Sequence, residues 1–180
     1  MSSQHNTYHP ISIAMHWLML LLIVAVYACI ELREIYPKGS DPREALKQWH
    51  FMLGLLVGML VLIRIYFRLT TRAPAIEPAP SALQTKLAGV MHGLLYLLML
   101  GLPVAGWLIL SAAGKSIPFF GLTLPPLVAE NRELAGMVKE WHETIGQAGY
   151  FLIGLHALLA LWHHYGKKDN TLLRMLPGKK

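Results

Sequence analysis

Four stretches of this 180-residue chain are apolar over a length that reaches or approaches the roughly 20 residues a helix needs to cross the hydrocarbon core of a bilayer. The membrane is therefore the solvent that the fold must answer to. The spans fall at about residues 11–32, 46–69, 86–113 and 141–165. The second has a short uncharged centre, extended by Arg64 and Arg68, whose long side chains can snorkel to the headgroups. The third is uncharged and carries Pro103, which should kink it; membrane helices tolerate this when neighbours satisfy the freed carbonyl. Between spans two and three lies the proline-rich connector TTRAPAIEPAPS, and a longer loop rich in turn residues joins spans three and four. Neither connector is large enough for a soluble domain. The expected fold is all-α, a four-helix transmembrane bundle forming one integral membrane domain over residues 1–180.

Composition agrees: 54% of residues are hydrophobic and only 14% charged, against about 25% charged in soluble domains. The net charge of +6 is spread over the ends of the apolar runs instead of gathering in one patch, so nucleic acid is not an expected partner. A lone Cys29 excludes an intrachain disulfide, and the lack of a C-x-x-C-H sequence argues against covalently attached haem. MSSQHNTYHP has no basic leader region and no small-residue cleavage site follows the first run, which is thus expected to be retained as a span. Four spans put both termini on one side. Cytoplasmic termini place Arg64, Arg68, Arg72, Lys86, Lys167, Lys168, Arg174, Lys179 and Lys180 inside, and only Glu77 and Asp169 among the acidic residues. The excess of basic residues on that side favours this orientation.

Histidines in spans are costly and tend to face the bundle interior, which makes each a functional candidate. On this topology His16 and His92 lie near the cytoplasmic ends of spans one and three, while His50 and His142 lie near the outer ends of spans two and four. His156 follows His142 by 14 residues, roughly 21 Å along a helix axis, and so belongs to the inner level. Seven-residue steps drift only about 20° around a helix, so His142, Gly149, His156 and His163 form one stripe, with His164 about 100° away. Gly149 leaves room between two histidines on that stripe. Gly54 and Gly58 follow His50 at one-turn steps, and serve either close helix packing or cofactor room. His5 and His9 precede the first span and are expected to be solvated.

A zinc centre wants about four ligands converging on one point, commonly with Cys, Asp or Glu, and the spans offer no such cluster. Haem iron needs only two axial ligands on opposite faces of a flat apolar ring, which suits histidines from two helices of a bundle. Two levels then mean two haems, stacked to carry electrons across the membrane. With both axial positions taken, the chemistry left is outer-sphere electron transfer. Spacing alone leaves His16 and His92 as competing partners of His156.

The motifs ISIAMHWL, LKQWHFMLG, MHGLLYLLMLGLPVAG, WHETIGQAGYFLIGLHALLALWHHY and KDNTLLRMLP, in that order through nearly the whole chain, resemble the bacterial cytochrome b561 family of four-helix membrane cytochromes. The resemblance implies two non-covalently bound b haems. It implies His16 with His156 as ligands of the inner haem iron, and His50 with His142 as ligands of the outer one. Similar members are superoxide oxidases, which pass an electron from superoxide at the periplasmic face to ubiquinone; others are haem subunits of hydrogenases or related dehydrogenases. The resemblance therefore implies superoxide, membrane quinone and lipid as partners, and leaves open a homo-oligomer or a dehydrogenase partner. On the outer side Arg43 and Lys47, just before His50, are candidates for steering the superoxide anion. His163 continues the stripe beyond the inner level and is a candidate to hydrogen-bond a quinone carbonyl or exchange its proton. His164 has no assigned task. The alternatives to a superoxide:ubiquinone oxidoreductase are a haem b anchor subunit of a larger dehydrogenase or hydrogenase and, ranked last, a histidine-lined metal transporter.

Overall fold

The computed structural model describes residues 7–177; the expectations for His5, Lys179 and Lys180 lie outside them. Four long helices dominate. α1 (Pro10–Leu32) opens on a proline, whose fixed φ and missing N–H suit a first helical turn. His9 sits just before it, where Nδ1 accepts a hydrogen bond from the Ile11 N–H at 3.3 Å and the ring stacks on Phe67. A 3-10 turn, Arg33–Ile35, leads to α2 (Asp41–Thr70). α3 (Ala82–Ala112) begins with a reciprocal cap: the Ser81 hydroxyl accepts from the Gln84 N–H, and the Gln84 side chain accepts from the Ser81 N–H. α4 (Arg132–Trp162) is capped by the Asn131 side chain, which accepts from the Leu134 N–H at 3.0 Å. α2 and α4 start well ahead of residues 46 and 141. The added turns carry charged residues and fall outside the apolar runs, where helix propensity decides and apolarity is silent.

Consecutive helices pack side by side, α1 on α2, α2 on α3 and α3 on α4. α1 and α4 are joined by side chains instead: the Tyr27 hydroxyl donates to the Gly146 carbonyl at 2.7 Å, and the Tyr27 and Tyr150 rings lie 4.2 Å apart. The tightly buried centre is small, built on Met19, Val57 and Val61 with Tyr96, Met99 and Leu100 against it. Outward faces carry fully presented apolar residues such as Phe151 (81% exposed) and Leu69 (80%). That would be an aggregation surface in water, and is the solvent-matched face in lipid.

The two glycines of span two have separate tasks. A Cβ on Gly58 would come within 2.9 Å of the Pro103 ring, so Gly58 exists to let α2 meet the proline-bearing stretch of α3; a Cβ on Gly54 would meet nothing within 4 Å. The outer connector is more ordered than turn signals alone imply. It forms a hairpin of β1 (Ile117–Phe119) and β2 (Leu122–Leu124), reversed through Phe120 (φ 46°) and Gly121 (φ 87°), the positive-φ pair of a tight hairpin turn. The Phe120 N–H reaches the Met52 Sδ at 3.4 Å and Trp107 Nε1 donates to the Pro125 carbonyl, pinning the loop onto the outer ends of α2 and α3.

Candidate functional site

The histidines gather at two levels. At the outer level His50 on α2 faces His142 on α4, with ring centres 6.2 Å apart and planes 72° apart. His50 Nδ1 lies 3.0 Å from the Val26 carbonyl, which accepts its proton and leaves Nε2 with a free lone pair on the bundle side. The His142 ring lies over Gly106, where a Cβ would stand 3.6 Å from its Cε1, and its Nδ1 is buried without an aligned partner. Both rings line a cavity of about 310 Å³, together with Gly54, Gly106, Leu98, Met99, Tyr27 and Tyr150. Gly54 thus faces this cavity and not a neighbouring helix.

At the inner level His16 on α1, His92 on α3 and His156 on α4 meet. The His16 and His156 ring centres are 6.3 Å apart and those of His92 and His156 are 5.5 Å apart. Arg64 Nη2 donates to His16 Nδ1 at 3.0 Å. Arg64 and Arg68 both line a small cleft of about 30 Å³ at that end, together with Tyr96 and Ser12. Between the levels Gly149 faces α1 and α3, and a Cβ there would collide with the Tyr27 hydroxyl and stand 3.1 Å from Leu98. The gap expected to lie against a flat cofactor is taken by Tyr27, which separates the two levels.

Arg43 does not present a free cation. It is 7% exposed, and its Nη1 donates to the Arg33 and Tyr36 carbonyls at 3.0 and 2.9 Å while Nη2 holds both oxygens of Glu34. The steering role expected of Arg43 finds no support in this geometry: with both Nη groups committed to the α1–α2 turn, the guanidinium has little field to offer an incoming anion. Lys47 pairs with Glu44 at 2.5 Å and is not among the residues lining the outer cavity. The cations that do line it are Arg33 and Lys139. Arg33 Nε is 3.0 Å from Glu34 Oε1, an ion pair by distance whose N–H is not aimed at the oxygen; Lys139 pairs with Glu143 at 2.7 Å. Lys139 precedes His142 by three residues, a spacing that could have marked it as sharing that face. Arg33 ends span one and so falls at the outer level by position; nothing in the spacing could have marked Tyr27 or Arg64. At the inner end His163 Nδ1 lies 2.5 Å from Asp169 Oδ2, and His164 packs on Tyr165.

The model of the prokaryotic cytochrome b561 family matches residues 7–178. The chain belongs to the prokaryotic cytochrome b561 family. It is 41% identical over 175 residues to cytochrome b561 homolog 1 of Escherichia coli, covering 97% of this chain and 99% of the relative. It is 42% identical over 176 residues to a probable superoxide oxidase of Yersinia pestis, covering 98% and 99%. Cytochrome b561 homolog 2 of Escherichia coli is 29% identical over 170 residues, covering 94% and 90%. This cytochrome b561 is accordingly a multi-pass inner-membrane protein that uses haem b for electron transfer.

The histidine geometry fits such a group. With metal–imidazole bonds of about 2 Å and each ligating nitrogen about 1 Å from its ring centre, two axial imidazoles on one iron hold their ring centres about 6 Å apart. The 6.2 Å of His50 and His142 and the 6.3 Å of His16 and His156 meet that span, and the 5.5 Å of His92 and His156 falls short of it. The inner pair carries one condition. Ligation through His16 Nε2 with a proton on Nδ1 requires the Arg64 guanidinium, which can only donate, to turn to another acceptor. Among the described residues no three His, Cys, Asp or Glu side chains are grouped to hold a metal ion, so a cation-transport centre lacks donors there.

Proposed function

We propose that this cytochrome b561 oxidises superoxide at the periplasmic face and reduces ubiquinone in the membrane, with both termini cytoplasmic. Two b haems are held by His50 with His142 and by His16 with His156. The observation that carries the proposal is the pair of histidine couples at the axial spacing, their α4 members about four turns apart. The relative named as a probable superoxide oxidase supports the choice of donor. Bound between the histidines, haem b supplies a one-electron ferric–ferrous couple. The rest falls to the chain. With one imidazole from each histidine of a pair holding the iron, the group would have no open position, so a donor would exchange electrons only at the edge of the site. Arg33 and Lys139 are the cations that line the outer cavity, set among Glu31, Glu34 and Glu143, and are the groups that would guide the anion to it. Tyr27 and Leu98 pack against Gly149 between the two levels. At the inner end, where Arg64 and Arg68 supply positive charge, His163 is the group that would hydrogen-bond a quinone carbonyl.

The deciding experiment supplies the purified holoprotein with superoxide and a soluble ubiquinone analogue and follows quinol. Quinol formation without any added protein supports the proposal. If the haem bands reduce and no quinol forms until a dehydrogenase is added, the anchor-subunit alternative replaces it. His142→Ala and His50→Ala should each remove the same half of the haem, and His16→Ala and His156→Ala the other half. Loss on His92→Ala with retention on His16→Ala would reassign the inner pair.

A further inference from the structure

The chain beyond α4 folds back in a way that the electron path does not require. α4 widens at His163–Lys167 into a π-helical turn, and Lys168 takes a left-handed conformation (φ 57°) that reverses the chain. The reversal lets the Asp169 N–H donate to the His163 carbonyl at 3.1 Å and sets Asp169 Oδ2 2.5 Å from His163 Nδ1. Asp169 Oδ1 accepts from the Thr171 N–H at 2.8 Å. The carboxylate is 6% exposed, while the His163 side chain keeps 18% of its surface open. A buried carboxylate is costly unless paired, and the carbonyls at the end of α4 can be closed by backbone N–H donors without one. The segment is anchored to two other parts of the fold, α1 and the connector between α2 and α3. Trp17 Nε1 donates to the Met175 carbonyl at 2.7 Å, the Glu77 N–H donates to Asn170 Oδ1 at 2.9 Å, and Arg174 donates to the Pro74 carbonyl. The aspartate is thus held against the ring by a fixed support.

We infer that Asp169 is a positioning residue that locks the His163 ring with its proton on Nδ1, so that Nε2 becomes the atom that delivers protons to a quinone at the inner end. This rests on the quinone reduction proposed above. Burial pushes the Asp169 carboxyl up, but hydrogen bonds from His163 and Thr171 outweigh it and hold the group below its ordinary value, so it stays anionic at neutral pH. An anionic partner keeps the Nδ1 proton in place and leaves Nε2 as the exchangeable position. Arg174 lies within electrostatic reach of Asp169, and Arg68 of Arg174. The Thr171 hydroxyl and Arg174 Nε, both buried without partners, offer contacts for water leading to the pair.

The balance is two protons per quinol. Two superoxide anions give up one electron each and become dioxygen, and the quinone takes both electrons. For each electron one Nε2–H bond of the His163 imidazolium breaks and one quinone O–H bond forms. The ring then takes its next proton from water on the inner side, and the Nδ1–H···Asp169 bond persists throughout.

The test uses the full-chain holoprotein, reduced with dithionite and mixed with a soluble ubiquinone analogue while the b-type absorption band is followed. Asp169→Asn keeps the haem spectrum and slows reoxidation about tenfold or more, with an enlarged solvent deuterium effect. Asp169→Glu recovers part of the rate, and His163→Gln is slowed at least as much. Wild-type speed in Asp169→Asn with a slow His163→Gln overturns the role of Asp169 and leaves the quinone site standing. Wild-type speed in His163→Gln instead removes the quinone from this end. Asn170→Ala loosens the same tail without touching the pair and should remain fast; equal slowing there and in Asp169→Asn overturns the inference in favour of a structural cap.

Discussion

Replacing Arg43 by methionine separates a structural cation from a steering one. Methionine keeps the aliphatic packing and removes the hydrogen bonds to the Arg33 and Tyr36 carbonyls, at 3.0 and 2.9 Å. Bonds from a charged donor contribute about 1.5–3 kcal/mol each, and these two carbonyls sit at a turn where water can replace part of the loss, so the lower end applies and the total is about 3 kcal/mol. The contact with Glu34 adds nothing to that figure, because the carboxylate side chain is 57% exposed and solvent screens it. Thermal unfolding of the holoprotein in detergent, followed by loss of the Soret band, should show a clearly lowered midpoint. At a temperature where the variant is folded, its rate of haem reduction by superoxide and the salt dependence of that rate should match the wild type. Lys139→Gln should do the reverse, with unchanged stability and a slower rate that salt affects less. If Arg43→Met melts like the wild type and loses its salt dependence, the buried-anchor account is wrong and the steering role returns to Arg43.

Gly58→Ala should cost about 1–3 kcal/mol of stability in a thermal melt, since its Cβ would press on Pro103 Cβ at 2.9 Å. Gly54→Ala should leave the melt unchanged, and Gly54→Leu should fold with less haem in a pyridine haemochrome assay, because its side chain enters the outer cavity. Gly149→Ala should destabilise by displacing the Tyr27 hydroxyl from the Gly146 carbonyl, and Tyr27→Phe should relieve part of the clash while forfeiting that bond. Asp169 is held below its ordinary pKa in the folded protein, so its support of the C-terminal segment is complete above about pH 4, where the unfolded carboxyl is ionised, and is lost as pH falls through the lower folded value. Hydrogen exchange at Thr171 and Arg174 should speed up over that acid range, and Asp169→Asn should remove the pH dependence.

The number of spans was legible in the order of amino acids, because a bilayer imposes a length and an apolarity on each crossing and these are properties of a linear string. So were the two histidine levels, since rise and rotation per residue convert positions on one helix into depth and direction. The family membership was legible too, carried by motifs that run through the whole chain. Inter-helix facts were not. Which of His16 and His92 stands at an axial distance from His156 depends on how α1 and α3 approach α4, and no spacing within a helix fixes that. Gly54 and Gly58 are equivalent as letters, and they part only because Pro103 lies against one and the cavity against the other. Arg43 resembled a surface cation in the sequence, where its neighbours Glu34 and Tyr36 are remote; the fold-back of the α1–α2 turn buries it. Asp169 is six residues from His163, and a left-handed turn at Lys168 brings the two to hydrogen-bonding distance. Sequence by itself settled what crosses the membrane and how deep each histidine lies; tertiary structure decided which groups touch, because contact between separate helices depends on packing geometry that no local period encodes.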